Sequence, residues 1–83
     1  MQIKLIDKMT AVSKAGNPYA RVTLLILNDN ARVVQEYFVS PKVVTNCDAD
    51  LDDFVVVACE LNAKGKFEIT EISKAEEDSD FFN

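Results

Sequence analysis

Between two turn signals, Gly16-Asn17-Pro18 and Asn28-Asp29-Asn30, residues 19–27 alternate from side to side. Ala20, Val22, Leu24 and Ile26 fall on one face; Tyr19, Arg21, Thr23, Leu25 and Leu27 fall on the other. A period of two over nine residues suits a strand with one face in a core and does not suit a helix. Four further segments share this character. Residues 2–10 carry Ile3, Leu5 and Met9 in alternation, residues 32–39 read RVVQEYFV, residues 54–61 read FVVVACEL, and residues 67–72 read FEITEI. Val, Ile, Thr, Tyr and Phe dominate them, as in strands. The valine run and short length of 54–61 exclude a helix there. Ala63-Lys64-Gly65-Lys66 turns the fourth segment into the fifth, with Gly65 free to take a positive φ.

Only the connection over 40–53 is long. It holds Pro41, then KVVTN, then the acidic DADLDD, and has room for a single helical turn. Three strands, a long connection and two strands is the order of the oligonucleotide-binding (OB) fold, a five-stranded partly open barrel. The expected fold is therefore all-β: a small antiparallel OB-like barrel over 1–74, followed by a disordered acidic tail over 75–83. The alternative is an open antiparallel sheet that pairs with a copy of itself.

Eighty-three residues make one domain with a small core, so help from a partner subunit is expected. No apolar run approaches the roughly 20 residues of a membrane span, and MQIKLIDK does not read as a signal peptide, which makes the cytoplasm the expected compartment. Cys47 and Cys59 are too few for a disulfide framework. Cys59, inside an apolar run, is expected to pack as a small hydrophobe. With no histidine and no CxxC, neither a metal site nor another cofactor is expected. The commonest general base is missing too, and no nucleophile set, phosphate loop or facing carboxylate pair is present, so the chain is not expected to be an enzyme. The net charge of −5 is uneven. Glu76, Glu77, Asp78 and Asp80 crowd the tail; residues 1–74 carry nine bases against ten acids, four of these acids between Asp48 and Asp53.

If the Ala20 face is inward, Tyr19, Arg21 and Thr23 face water, and Lys14 overhangs them from SKAGNPY. Arg32 opens the next strand, while Lys64 and Lys66 flank the last turn. Tyr37 and Phe38 are adjacent and must point to opposite faces, and tyrosine is the better choice for the wet one. Single-stranded nucleic acid requires cations along its phosphates and aromatic faces for its bases. Lys14, Tyr19, Arg21, Arg32, Tyr37, Lys64 and Lys66 supply both. The plainer reading makes Tyr19 a packing residue and the cations edge protection.

SKAGNPY resembles the loop of the filamentous-phage, gene V-type single-stranded DNA-binding proteins, which ends in Gly-x-Pro-Tyr before the second strand. EYFVSPKVV (36–44) resembles that family's aromatic third strand, and NAKGKFEI (62–69) its final hairpin. The three elements occur in the family's order over residues 1–74. The resemblance implies that Tyr19 stacks on bases, that Lys14 meets phosphates, and that Arg21 lies on the DNA face. It also implies a homodimer with the hairpin at 61–69 near the two-fold axis. The acidic connection departs from the shortest members. The tail is similar to the acidic, Phe-ended tails of replication single-strand binders, which implies that Asp78, Asp80, Phe81 and Phe82 dock a replication protein. The expected function is sequence-nonspecific binding of single-stranded DNA, or RNA, that coats and protects strands in phage or plasmid replication inside a bacterial host. The rival is an acidic protein–protein interaction module or DNA mimic.

Overall fold

The computed structural model describes residues 1–75. Its elements in order are β1 (Gln2–Val12), β2 (Pro18–Asn28), β3 (Ala31–Val39), α1 (Pro41–Thr45), β4 (Val55–Leu61) and β5 (Phe67–Lys74). The five strands and the single helical turn fall where the alternation and punctuation place them. Pro41 opens α1, where its fixed φ suits the first turn and its missing N–H has no partner to lose. No helix among the described residues is long and apolar enough to cross a membrane.

The barrel expectation needs correction. The strands form two antiparallel sheets, β1-β2-β3 and β4-β5, rather than one closed sheet. β1 meets the second sheet at the isolated Lys4–Phe54 bridge. Beside it, Leu5 N–H donates to Asp53 O at 2.9 Å and Asp52 N–H to Leu5 O at 2.6 Å. On the other side, β3 and β5 approach each other without pairing, and a cleft of about 320 Å³ opens between Val39, Val43, Ile69 and Thr70. The reason lies in α1, which contacts β1, β2 and β5 and buries Val43 between the sheets. Its volume holds β5 off the β3 edge.

The core is Leu5, Val22, Leu24, Val43, Ala49, Val55 and Ile72, with Ile3, Tyr37, Val39, Val44, Cys47, Val57 and Ile69 packed against it. Both sheets run past this core. The radius of gyration is 14.1 Å and the extents are 52 × 27 × 21 Å, where a compact chain of this length would have a radius of about 11–12 Å. One projection is the start of β3, exposed from Ala31 to Glu36. The other is the outer half of the β4–β5 hairpin.

The acidic connection is tied down along its length. Ala49 is fully buried, and Lys8 Nζ donates to its carbonyl at 2.7 Å. Asp48 Oδ1 accepts the Lys74 N–H at 2.7 Å. Asp53 Oδ2 accepts the Asp50 N–H at 2.9 Å and lies 3.9 Å from Lys74 Nζ. The cysteine expectation is also corrected. Cys59 is exposed, because β4 has already left the core by that position, whereas Cys47 is half-buried against the core.

Candidate nucleic-acid interface

SKAGNPY folds as the turn between β1 and β2. Ser13 N–H donates to Asn17 O at 2.8 Å, and Gly16 N–H donates to Ser13 O at 2.9 Å. Ser13 Oγ accepts the Asn17 N–H at 3.1 Å. Gly16 takes φ +86°, a left-handed conformation that a three-residue hairpin loop favours and a side chain resists. Lys14 is thereby exposed on the turn, and Pro18 and Tyr19 start β2 directly behind it.

Register then assembles a surface on the outer face of the three-stranded sheet. Met9 pairs with Arg21, and Arg21 with Phe38; Tyr19 pairs with Ala11 one step away on the same face. The Tyr19 and Phe38 ring centroids are 6.3 Å apart with the planes tilted by 56°, within the range of favourable edge-to-face packing. Phe38 is 74% exposed. Arg21 Nη2 donates to Met9 Sδ at 3.1 Å, and Nη1 lies 4.0 Å from Glu36 Oε1 across an exposed contact. A pair of this exposure contributes little stability but sets the guanidinium beside the rings.

Lys14, Tyr19 and Arg21 are thus brought together. The other candidates are not. Tyr37 points the opposite way from the expectation: it packs against the core, and Phe38 takes the outer position. The cause is register. Tyr37 pairs with Val22, so it shares the buried face of β2. Arg32 sits at the far end of β3, six residues from Phe38 and so about 20 Å along the strand. Lys64 and Lys66 are exposed at the β4–β5 turn, where Gly65 takes φ +80° and Asn62 Oδ1 accepts the N–H of both lysines at 2.9 and 3.1 Å. Asp78, Asp80, Phe81 and Phe82 lie outside the described residues.

Two features of this surface escaped the sequence reading. One is Phe38. Counting outward from the two-residue turn Asp29-Asn30 pairs Asn28 with Ala31 and hence Val22 with Tyr37, which reveals the correct phase. The other is Lys4, whose Nζ stands 5.3 Å from the centroid of the exposed Phe54 ring. That contact depends on the bridge between β1 and the second sheet, which no local pattern encodes. Among the described residues, no three Cys, Asp or Glu side chains converge as metal ligands would. Comparison of the chain with protein-family models, curated proteins and solved structures gives no significant match in any of the three.

Proposed function

We propose that this chain binds single-stranded nucleic acid without sequence preference, with DNA as the first ligand to test. The observation that carries the reading is the Tyr19–Phe38 pair on an open sheet face, with Arg21 beside it and Lys14 on the adjoining turn. A tilted pair leaves a ring face for a base, and Arg21 and Lys14 are the cations nearest to Tyr19 in sequence that can meet the phosphates. The two sheets are read as an opened form of the OB-type arrangement, joined at β1 and β4 and parted at β3 and β5. The resemblance to the gene V-type proteins, which rests on this turn together with 36–44 and 62–69, supports a role in coating strands during phage or plasmid replication. A homodimer belongs to this reading, supported by a small core and exposed apolar residues such as Val34, Phe38, Leu61 and Phe67. The acidic tail is proposed as the dock for a replication partner.

The test is a titration of labelled oligo-dT across a salt series. Affinity should fall steeply with salt, as release of counterions from phosphates requires. Tyr19→Ala and Phe38→Ala should each cost about 1–3 kcal/mol of binding. Tyr37→Ala should instead lower stability and leave the per-molecule affinity of the folded protein unchanged. One observation favours the rival acidic module. Glu60 lies directly opposite Glu68 on the outward face of the β4–β5 hairpin, which Glu71 also occupies. A chain that shows no oligo-dT binding at low salt, yet captures basic partners through this face, would replace the nucleic-acid reading.

A further inference from the structure

β3 is an edge strand whose protection is limited to two charges of opposite sign, Arg32 and Glu36. It pairs with β2 along all nine residues with no register shift, and no strand among the described residues is hydrogen-bonded to its other edge; β5 approaches that edge only across the cleft at Phe38 and Val39, and the stretch before it is open. It contains no proline, lysine or bulge, the devices that discourage edge-to-edge pairing. Val33 and Val34 are exposed, Val34 to 64%.

The two-residue loop Asp29-Asn30 makes Asn28 and Ala31 a hydrogen-bonded pair. Backbone groups alternate from there. Ala31, Val33, Gln35, Tyr37 and Val39 direct their N–H and C=O groups toward β2. Arg32, Val34, Glu36 and Phe38 direct theirs to the open edge, and the side chains of these same four residues lie on the outer face.

We propose that β3 pairs antiparallel with β3 of a second copy, about a two-fold axis at Val34. In this register Val34 meets the partner's Val34, Arg32 opposes the partner's Glu36, and Glu36 opposes the partner's Arg32. Two ion pairs flank an apolar centre, and all three positions offer backbone groups of the right parity. The neighbouring registers of that parity are worse. An axis at Val33 or Gln35 sets Arg32 or Glu36 opposite Val34 and loses both ion pairs, an axis at Arg32 sets arginine against arginine, and one at Glu36 sets glutamate against glutamate. Among the described residues Arg32 has no ion pair within its own chain. The open edge of β5 fits a copy poorly, since Glu68 and Glu71 lie between Phe67 and Ser73 with no cation among them. Pairing at β3 joins two three-stranded sheets into one of six, and the two-fold axis stops the association there. The inference names a contact for the homodimer proposed above and places its two-fold axis at β3 instead of at the hairpin over 61–69, where the resemblance puts it. It rests on that part of the reading alone and not on nucleic-acid binding.

Sedimentation measured over a concentration series, without DNA, tests it. Arg32→Glu and Glu36→Arg should each weaken self-association roughly tenfold, by turning two attractive pairs into repulsive ones. The double exchange should restore it. In a Cys47→Ala/Cys59→Ser background, Val34→Cys should give a disulfide-linked dimer under mild oxidant, because residues facing across such a pair have Cα atoms about 5.5 Å apart. Glu71→Cys should not. Circular dichroism of each variant checks that the fold is kept. A dimer that Arg32→Glu leaves intact, or a link at Glu71→Cys and none at Val34→Cys, overturns the β3 contact while sparing the homodimer. A chain monomeric at every concentration overturns both, and oligo-dT binding is then judged separately.

Discussion

The turn over 13–17 and the turn over 62–66 are built alike. In each, the first residue donates a backbone hydrogen bond to the fifth and accepts one from a glycine in fourth place, and that glycine has a positive φ. Each also carries lysine at its tip. The strands behind the two turns differ. Behind the first, β2 gains a third strand, and Tyr19 leans on Phe38. Behind the second, β4 and β5 pair only with each other within their sheet, and Leu61 and Phe67 are 62% and 76% exposed. Turn chemistry thus fixes a hairpin and the register of the pairs next to it, which holds as far as the shifts at Leu5/Asp7 and Ala58/Cys59. Whether that hairpin becomes a rigid surface is decided by a neighbour far away in sequence.

The largest effect should come from truncating the apolar side chains in the strands that flank the two turns. Leu24→Ala, at a site 2% exposed, should cost about 2–5 kcal/mol in urea unfolding. Leu61→Ala should stay within about 0.5 kcal/mol at low protein concentration. An equal cost would mean that the outer hairpin is covered in solution, and would erase the contrast. A smaller effect is expected at the glycines. A Cβ at Gly16 or Gly65 meets nothing within 4 Å, so alanine there costs only the left-handed conformation, about 1–2 kcal/mol. Gly16→Ala should lower global stability by that amount. Gly65→Ala should register mainly as faster hydrogen exchange in residues 58–70, where opening is local. The smallest effect concerns the side chains that brace the turns. Asn62→Ala removes two bonds to backbone N–H groups and Ser13→Ala removes one. In these exposed positions the costs should be about 1 and about 0.5 kcal/mol, read as midpoint shifts in the same unfolding experiment.

The contrast also explains what the sequence could convey. Alternation in β2 puts Ala20, Val22, Leu24 and Ile26 on the inward face; the first three are buried and Ile26, nearer the strand's end, is half-buried. The punctuation at Gly16, Asn28 and Gly65 places the turns, and Pro41 places the short helix. These are local signals with local causes. The edge-to-edge gap between β3 and β5 is not legible, because side-chain period reports the buried face and not the pairing of edges. Cys59 follows Val55 and Val57 in phase, so its pattern is that of a core residue; only the reach of the core, set by Val43 and Ala49 from the long connection, leaves it exposed. At Tyr37 the needed signal is present in the two-residue turn, but a choice made on residue chemistry overrides the count from that turn. The lysine and tyrosine of the first turn are legible because a single hairpin carries both.

The bond from Lys8 Nζ to the Ala49 carbonyl spans 41 residues of sequence, and the Leu5 bonds to Asp52 and Asp53 beside it are at least as distant. Among the described residues, every strand pairing except the single bridge at Phe54 joins strands adjacent in sequence. Such a chain has a natural order of events in time. Hairpins close within microseconds, while a contact across this much chain waits for a rarer encounter. Closure of the acidic connection onto β1 is therefore the step expected to set the folding rate. Weakening it at Ala49 should slow refolding in stopped-flow measurements, whereas changes at Leu61 or Phe67 should leave that rate alone.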